Sequence, residues 1–197
     1  TGFTLNWDAG AAAYDWNYLA LGGDVSQAAI LEIQSPTDVG EQSYTGTGFK
    51  PDCALLFTIG LATAPPVDSV TDQHGYPGFG WATAAATQAF GGSDEDAADP
   101  ADTGRSQADD LCLVVPTVTT GNLLEANLVS FNANGLTLNW GVVDATARYV
   151  WAVCLKGGRY KVGSFTQAAN GQVATGGVGF LPKALLLGAT GVGTLGD

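Results

Sequence analysis

Phe3, Leu5 and Trp7 alternate with Thr4 and Asn6, and the same alternation returns at Leu136, Leu138 and Trp140 against Thr137 and Asn139. A period of two places each apolar set on one face of a strand. Tyr149, Trp151, Val153 and Leu155 alternate in the same way with Val150, Ala152, Cys154 and Lys156. These patterns predict strands whose aromatic face is covered, so Trp7, Trp16, Trp140 and Trp151 are expected to be mostly buried. Two continuous apolar runs ended by glycine, "ALLFTIG" at 54–60 and "ALLLGATG" at 184–191, predict short strands buried on both faces. "LLEANLVSF" at 123–131 leads through Asn132-Ala133-Asn134-Gly135 into "LTLNW". Asn-Gly between two strand patterns signals a hairpin, because both residues tolerate positive φ. Only "GWATAAATQAF" at 80–90 offers a helical spacing, and its glycines and threonines oppose it.

The strand patterns come in matched blocks. Gly2–Trp7 matches Gly135–Trp140, "YDWNYLALGG" at 14–23 matches "YVWAVCLKGG" at 149–158, and "GTGFKPDCALLF" at 46–57 matches "GVGFLPKALLLG" at 177–188. Three blocks in one order define an internal repeat of roughly 130 residues. The expected organisation is all-β, built from antiparallel β-sandwich units. Residues 26–158 form a complete unit with a long variable loop at 61–122. Residues 1–25 form the C-terminal part of a preceding unit, and residues 159–197 the N-terminal part of a following one. Such broken units leave sheet edges that a stable protein must cover. Strands 2–7 and 184–188 are therefore expected to be hydrogen-bonded on both sides in an assembly, whether through the chain's own ends or through neighbouring units.

The pattern resembles a family of tandem β-domains in tailed-bacteriophage virion proteins, where strands of the type "GFTLNW", "YLALGG" and "TGxGFxP" recur around a variable loop. It is similar, more distantly, to the H-type lectin domain. That resemblance rests on Gly135–Trp140 and Trp151-Ala152, with Gly2–Trp7 and Trp16 in the other copy, where Asn17 stands in place of the alanine. The first resemblance implies a structural virion component that multimerises; the second implies a trimeric sandwich that binds sugars. Neither implies a catalytic residue.

Composition narrows the classes of partner. Hydrophobic residues make up 46% of the 197-residue chain and charged residues only 13%, which suits a folded core. A net charge of −12 opposes binding to a phosphate backbone, so no nucleic-acid partner is expected. No apolar run reaches the length of a membrane-spanning helix, and no membrane partner is expected. Cys53, Cys112 and Cys154 lie in apolar strand-like runs and read as buried hydrophobes, with no zinc-type spacing. The absence of Met and the opening Thr suggest that residue 1 is not an untouched gene start.

Candidate chemistry is sparse. Asp94, Glu95, Asp96, Asp99 and Asp102 form an acidic stretch that offers oxygen ligands for calcium, without EF-hand spacing. No metal or cofactor is assigned, and the sole histidine, His74, has no nucleophile elbow beside it. Tyr76, Phe79 and Trp81 are candidate contacts for a sugar or a protein partner. Segment 13–52 is acidic, with Asp15, Asp24 and Asp52, whereas its counterpart 147–183 carries Arg148, Arg159, Lys161 and Lys183 and no acid. Complementary charges of this kind fix register in an assembly. The reading is a non-enzymatic bacteriophage virion protein, a tail-fibre or appendage component partnered by its own copies and other virion proteins. The alternatives are a capsid-surface decoration protein and a carbohydrate-binding module for a host-surface glycan.

Overall fold

A computed structural model of the chain describes residues 24–62, 74–96, 99–166 and 176–190. The expectations for Trp7, Trp16, Asp15 and strand 2–7 lie outside the described residues. Eleven strands and no helix occur among those that are described: β1 (Val25–Gln34), β2 (Gly40–Thr45), β3 (Cys53–Thr58), β4 (His74–Gly75), β5 (Gly78–Thr83), β6 (Thr87–Glu95), β7 (Thr103–Ala108), β8 (Leu113–Pro116), β9 (Asn122–Asn132), β10 (Gly135–Val142) and β11 (Tyr149–Gly157). All pairings are antiparallel.

They form two sheets. The larger has the order β1-β11-β3-β5-β6, with β4 extending the β5 side of β6 and β7 on its other side. The smaller runs β2-β10-β9-β8. One buried cluster draws residues from both, including Leu31, Leu56 and Val150 from the larger and Leu124, Leu136, Leu138 and Trp140 from the smaller. The architecture is therefore all-β and sandwich-like. The hairpin expected before residue 136 is present, with Asn132 opposite Gly135. Its turn is Ala133-Asn134, so Gly135 is the first strand residue and not part of the turn.

The core face of β11 is the reverse of the expected one. Val150, Ala152 and Cys154 are fully buried, while Tyr149, Trp151 and Val153 are only partly so. Sandwich thickness explains the choice. The opposing strand β10 points Leu136, Leu138 and Trp140 inward, all essentially inaccessible. In sheets that pack face to face at native density, about 10 Å apart, side chains of the two inner faces interdigitate, and large groups on one side call for smaller ones beside them on the other. To the same cluster the larger sheet contributes the small side chains Ala54, Ala82, Ala152 and Cys154 beside Leu31, Ile33, Leu56 and Val150. Trp140 thus meets the expectation of burial. Trp151 is partly buried as well, but on the outer face and not in the core.

Residues 61–122 are not a long loop. They carry β4 to β8, and β5 and β6 continue the larger sheet in register with β3. The weak helical candidate at 80–90 is the β5–β6 hairpin. Glycine on the core face makes this half of the sandwich thin. A β-carbon on Gly80 would overlap the Cys112 carbonyl, and one on Gly91 the Val114 carbonyl. The backbone of β8 therefore seats directly on β5 and β6.

The run 184–188 is also not a strand. Leu185 and Leu187 are 72% and 66% exposed, and no ladder joins this run to any described residue.

Candidate functional site

The register of the larger sheet builds one feature that no single strand shows. On its outer face Trp151 of β11 lies opposite Phe57 of β3, Phe57 opposite Phe79 of β5, and Phe79 opposite Phe90 of β6. Parallel to this row, Ile30 lies opposite Val153, Val153 opposite Leu55, and Leu55 opposite Trp81. Ring contacts join the row: Phe57 stacks on Trp151 at 5.7 Å, Phe79 on Phe90 at 5.5 Å, and Trp81 leans on Phe90 at 5.3 Å. Ile30 is 67% exposed and Phe79 42%.

The geometry of the rings decides what this face can hold. Near-parallel rings at 5.5–5.7 Å, with interplanar angles of 20–23°, are too close to lie side by side in one plane. They stand on the sheet as offset stacks and turn their edges outward. A flat aromatic platform for a sugar ring needs the opposite orientation. The face is suited to burial against apolar side chains.

The three aromatics singled out from the sequence do not act together. Phe79 and Trp81 belong to this outer face, on a strand and not on a loop. Tyr76 packs against the core cluster, takes the Arg148 guanidinium over its ring at 5.8 Å, and meets His74 edge-on at 6.0 Å. Sequence reading missed Phe57, Phe90 and Trp151 as members of the face. Alternation predicts an inward Trp151, Phe57 lies in a run expected to be buried on both faces, and Phe90 closes the weak helical candidate.

The candidate assembly charges divide as well. Arg148 is committed within the unit: it pairs with Asp144 at 2.6 Å and donates to the Gly60 carbonyl at 2.7 Å. Asp52 accepts the Gly157 amide at 2.9 Å, which fixes the end of β11. Asp24, Arg159, Lys161 and Lys183 are exposed. Segments 24–52 and 149–157 are hydrogen-bonded neighbours inside one sandwich, because β1 and β3 flank β11.

The remaining candidates show no convergent chemistry. The acidic stretch turns from β6 into β7, where the Glu95 amide donates to the Asp102 carbonyl at 3.0 Å. Among the described residues no three His, Cys, Asp or Glu side chains gather as a metal site. His74 sits on β4 opposite Glu95, and its buried Nδ1 has no hydrogen-bond partner among the described residues. All three cysteines are buried and free, and burial pushes each thiol up to about 12. Thiols held so firmly protonated are poor nucleophiles. A groove of about 570 Å³ beside the β5–β6 turn has Lys50 and Asp52 as its only charged walls.

No family model, curated protein or solved structure matches the chain. Function must therefore be argued from the surface.

The C-terminal segment bears on that surface. After β11 the chain turns at Gly157 and Gly158, both at positive φ, and Val162 is buried again. Further on, a β-carbon at Gly188 would run into the Phe90 ring, and Thr190 lines a depression with Pro77, Gly92 and Arg105. The segment thus touches the outer face beside β6, yet leaves Leu181, Leu185, Leu186 and Leu187 largely in solvent.

Proposed function

We propose that this chain is a non-enzymatic structural subunit of a bacteriophage virion, a tail-fibre or appendage component that works as a multimer. The observation that carries the multimeric part is the outer face of the larger sheet. Aromatic and aliphatic side chains from five strands lie there in adjoining rows, with four exposed leucines of the C-terminal segment as a further apolar surface. Contiguous apolar area of this kind marks an interaction site. Among the described residues, β1 pairs with β11 alone and leaves a ten-residue strand as an edge. The virion assignment is supported by the sequence resemblance, by strand-only architecture and by the lack of any coupled acid, base and nucleophile among the described residues. A capsid-surface decoration protein would use the same features and stands as the alternative within that class. The carbohydrate-binding reading is weaker, because the outer-face rings turn their edges and not their planes to solvent.

The test is mass in solution together with glycan binding. Light scattering across micromolar concentrations should give a discrete multiple of 20.1 kDa. Substituting Phe79→Glu together with Phe90→Glu should reduce it. A single-subunit mass at every concentration would overturn the assembly reading. Saturable binding to a glycan array, lost in Trp81→Ala, would move the assignment to the lectin alternative.

A further inference from the structure

We infer that residues 181–188 are a latch that closes in cis over the outer aromatic face of the larger sheet and, when closed, withholds that face from a second copy. This is a regulation of the multimeric contact proposed above and rests on that reading. Two outward side chains show where the face is already covered. Leu155 of β11 and Cys53 of β3 are cross-strand partners outside the core cluster, yet they are only 2% and 4% exposed. The continuation of the chain lies beside them. Gly157 and Gly158, both at positive φ, turn it back from the end of β11, and Val162 is buried again. Tyr160 comes to rest with its hydroxyl buried. Burial, and then the neighbouring Cys53 and Asp52, push this phenol above its ordinary 10.0. The start of the C-terminal segment thus seats on one end of the outer face.

Residues 188–190 seat on the other side. The Gly188 backbone rests on the Phe90 ring, so close that a β-carbon there would overlap it. Thr190 sits against Pro77 and Gly92 with its hydroxyl buried. Between these two seats Phe79 stays exposed, and so do Leu185 and Leu187. The two apolar surfaces are close together. The Phe79 and Trp81 rings lie 5.5 and 5.3 Å from the Phe90 ring. Leu187 and Leu185 stand one and three residues before Gly188, at most about 11 Å along the chain. Rotation of the backbone just ahead of Gly188 lays them on Phe79 and Trp81, with Gly188 as the fixed point. The structure holds this latch open.

Charge and tethering name the occupant. Residues 24–158 carry sixteen carboxylates against four Lys and Arg, whereas residues 159–190 carry Arg159, Lys161 and Lys183 and no carboxylate. Complementary charge draws the cationic segment to the acidic body. The body it meets first is its own, because Gly188 is already in contact with Phe90. A group tethered by a few residues faces its site at an effective concentration of about a millimolar, well above the micromolar concentration of a second copy. Closure and assembly then compete for the same rings. The latch therefore raises the concentration at which copies meet through this face.

Thiol labelling with a maleimide tests closure. Phe79→Cys reports the rings under the latch, and Ile30→Cys reports the same face three strands away, at about 14 Å. The native thiols, buried and held up at about 12, remain silent. Each reporter is combined with the intact leucines or with Leu185→Ser, Leu186→Ser and Leu187→Ser together, all at exposed positions. The serines should speed labelling of the Phe79→Cys chain at least tenfold and leave the Ile30→Cys chain unchanged. Equal rates at Phe79→Cys with and without the leucines overturn the latch, and so does equal acceleration at both reporters. Labelling of the leucine-bearing chain that slows as protein concentration rises makes a second copy the cover and overturns closure in cis. Light scattering then reads the regulation: the triple serine chain with native Phe79 should assemble at a concentration at least tenfold lower than the wild type. Weaker assembly places the leucines in the contact between copies, unchanged assembly means that they withhold nothing, and either overturns the latch. Faster labelling with a single-subunit mass for both chains overturns the multimeric reading, and its regulation, while closure stands. Unchanged labelling with assembly intact overturns the latch and leaves the multimeric reading standing.

Discussion

Gly91 and Gly92 are neighbours on β6 that face opposite sides of the larger sheet, and they make a controlled pair of perturbations. A methyl group on Gly91 would overlap the Val114 carbonyl oxygen and stand 2.9 Å from Pro116 Cδ. One on Gly92 would find its nearest neighbour, the Gly104 carbonyl oxygen, at 3.8 Å, an ordinary contact. The obstruction at Gly91 is backbone of β8, a strand whose Leu113, Val114 and Val115 are all fully buried, so it cannot swing aside as a side-chain tip can. Gly91→Ala should therefore carry the cost of overpacking, about 1–3 kcal/mol or more. Gly92→Ala should be neutral or stabilising by up to about 1 kcal/mol, since it removes freedom mainly from the unfolded chain. With a urea slope of about 2 kcal/mol/M, the two midpoints should differ by roughly 1 M. Urea unfolding followed by tryptophan fluorescence measures this directly. Midpoints within 0.2 M of each other would refute the direct seating of β8 on β6.

Three further outcomes follow from the same packing. Asp144→Ala leaves the mostly buried Arg148 guanidinium with the Gly60 carbonyl and the Tyr76 ring, and should cost about 3 kcal/mol; a loss under 0.5 kcal/mol in urea melts would show the pair to be solvent-screened. Trp140→Ala removes a fully buried indole and its 3.0 Å hydrogen bond to the Tyr44 hydroxyl, at about 3–5 kcal/mol, and retention of the wild-type midpoint would contradict the core assignment. Burial raises Tyr44 from 10.0 to about 12 and the three thiols from 9.0 to about 12. Folded values above unfolded ones mean that the stability these groups contribute is full below pH 9, then lost as pH rises from 9 through 12. Urea midpoints should fall steadily over that window, and a flat profile from pH 8 to 11 would show the thiols to be accessible.

Local chemistry was legible where one short segment decides the outcome. The Asn-Gly turn signal located the β9–β10 hairpin to within one residue, because turn geometry depends on the residues in the turn. The face of β11 was not legible. Alternation separates Trp151 from Ala152, but both sets are apolar, and which of them turns inward depends on the core that both sheets build together. The strands inside 61–122 were missed for a related reason. Gly78, Gly80 and Gly91 leave the core faces of β5 and β6 without the large residues that mark a strand, since the space is filled by the backbone of β8. The outer aromatic face needed four strands in register before it existed. Phe57, Phe79, Phe90 and Trp151 are widely separated along the chain, and nothing near any one of them names the others.

The pairing of Val25 with Gly157 has a mechanical consequence. These two residues open β1 and close β11, so the first and last strands among the described residues begin and end about 5 Å apart. Tension applied through residues 24 and 158 would pull the two strands apart from one end. Their hydrogen bonds would then be loaded in turn and not all together, as they are when strands slide past each other. Under such a pull this unit should open at low force from the β1–β11 seam, releasing stored length before the rest of the sandwich is strained.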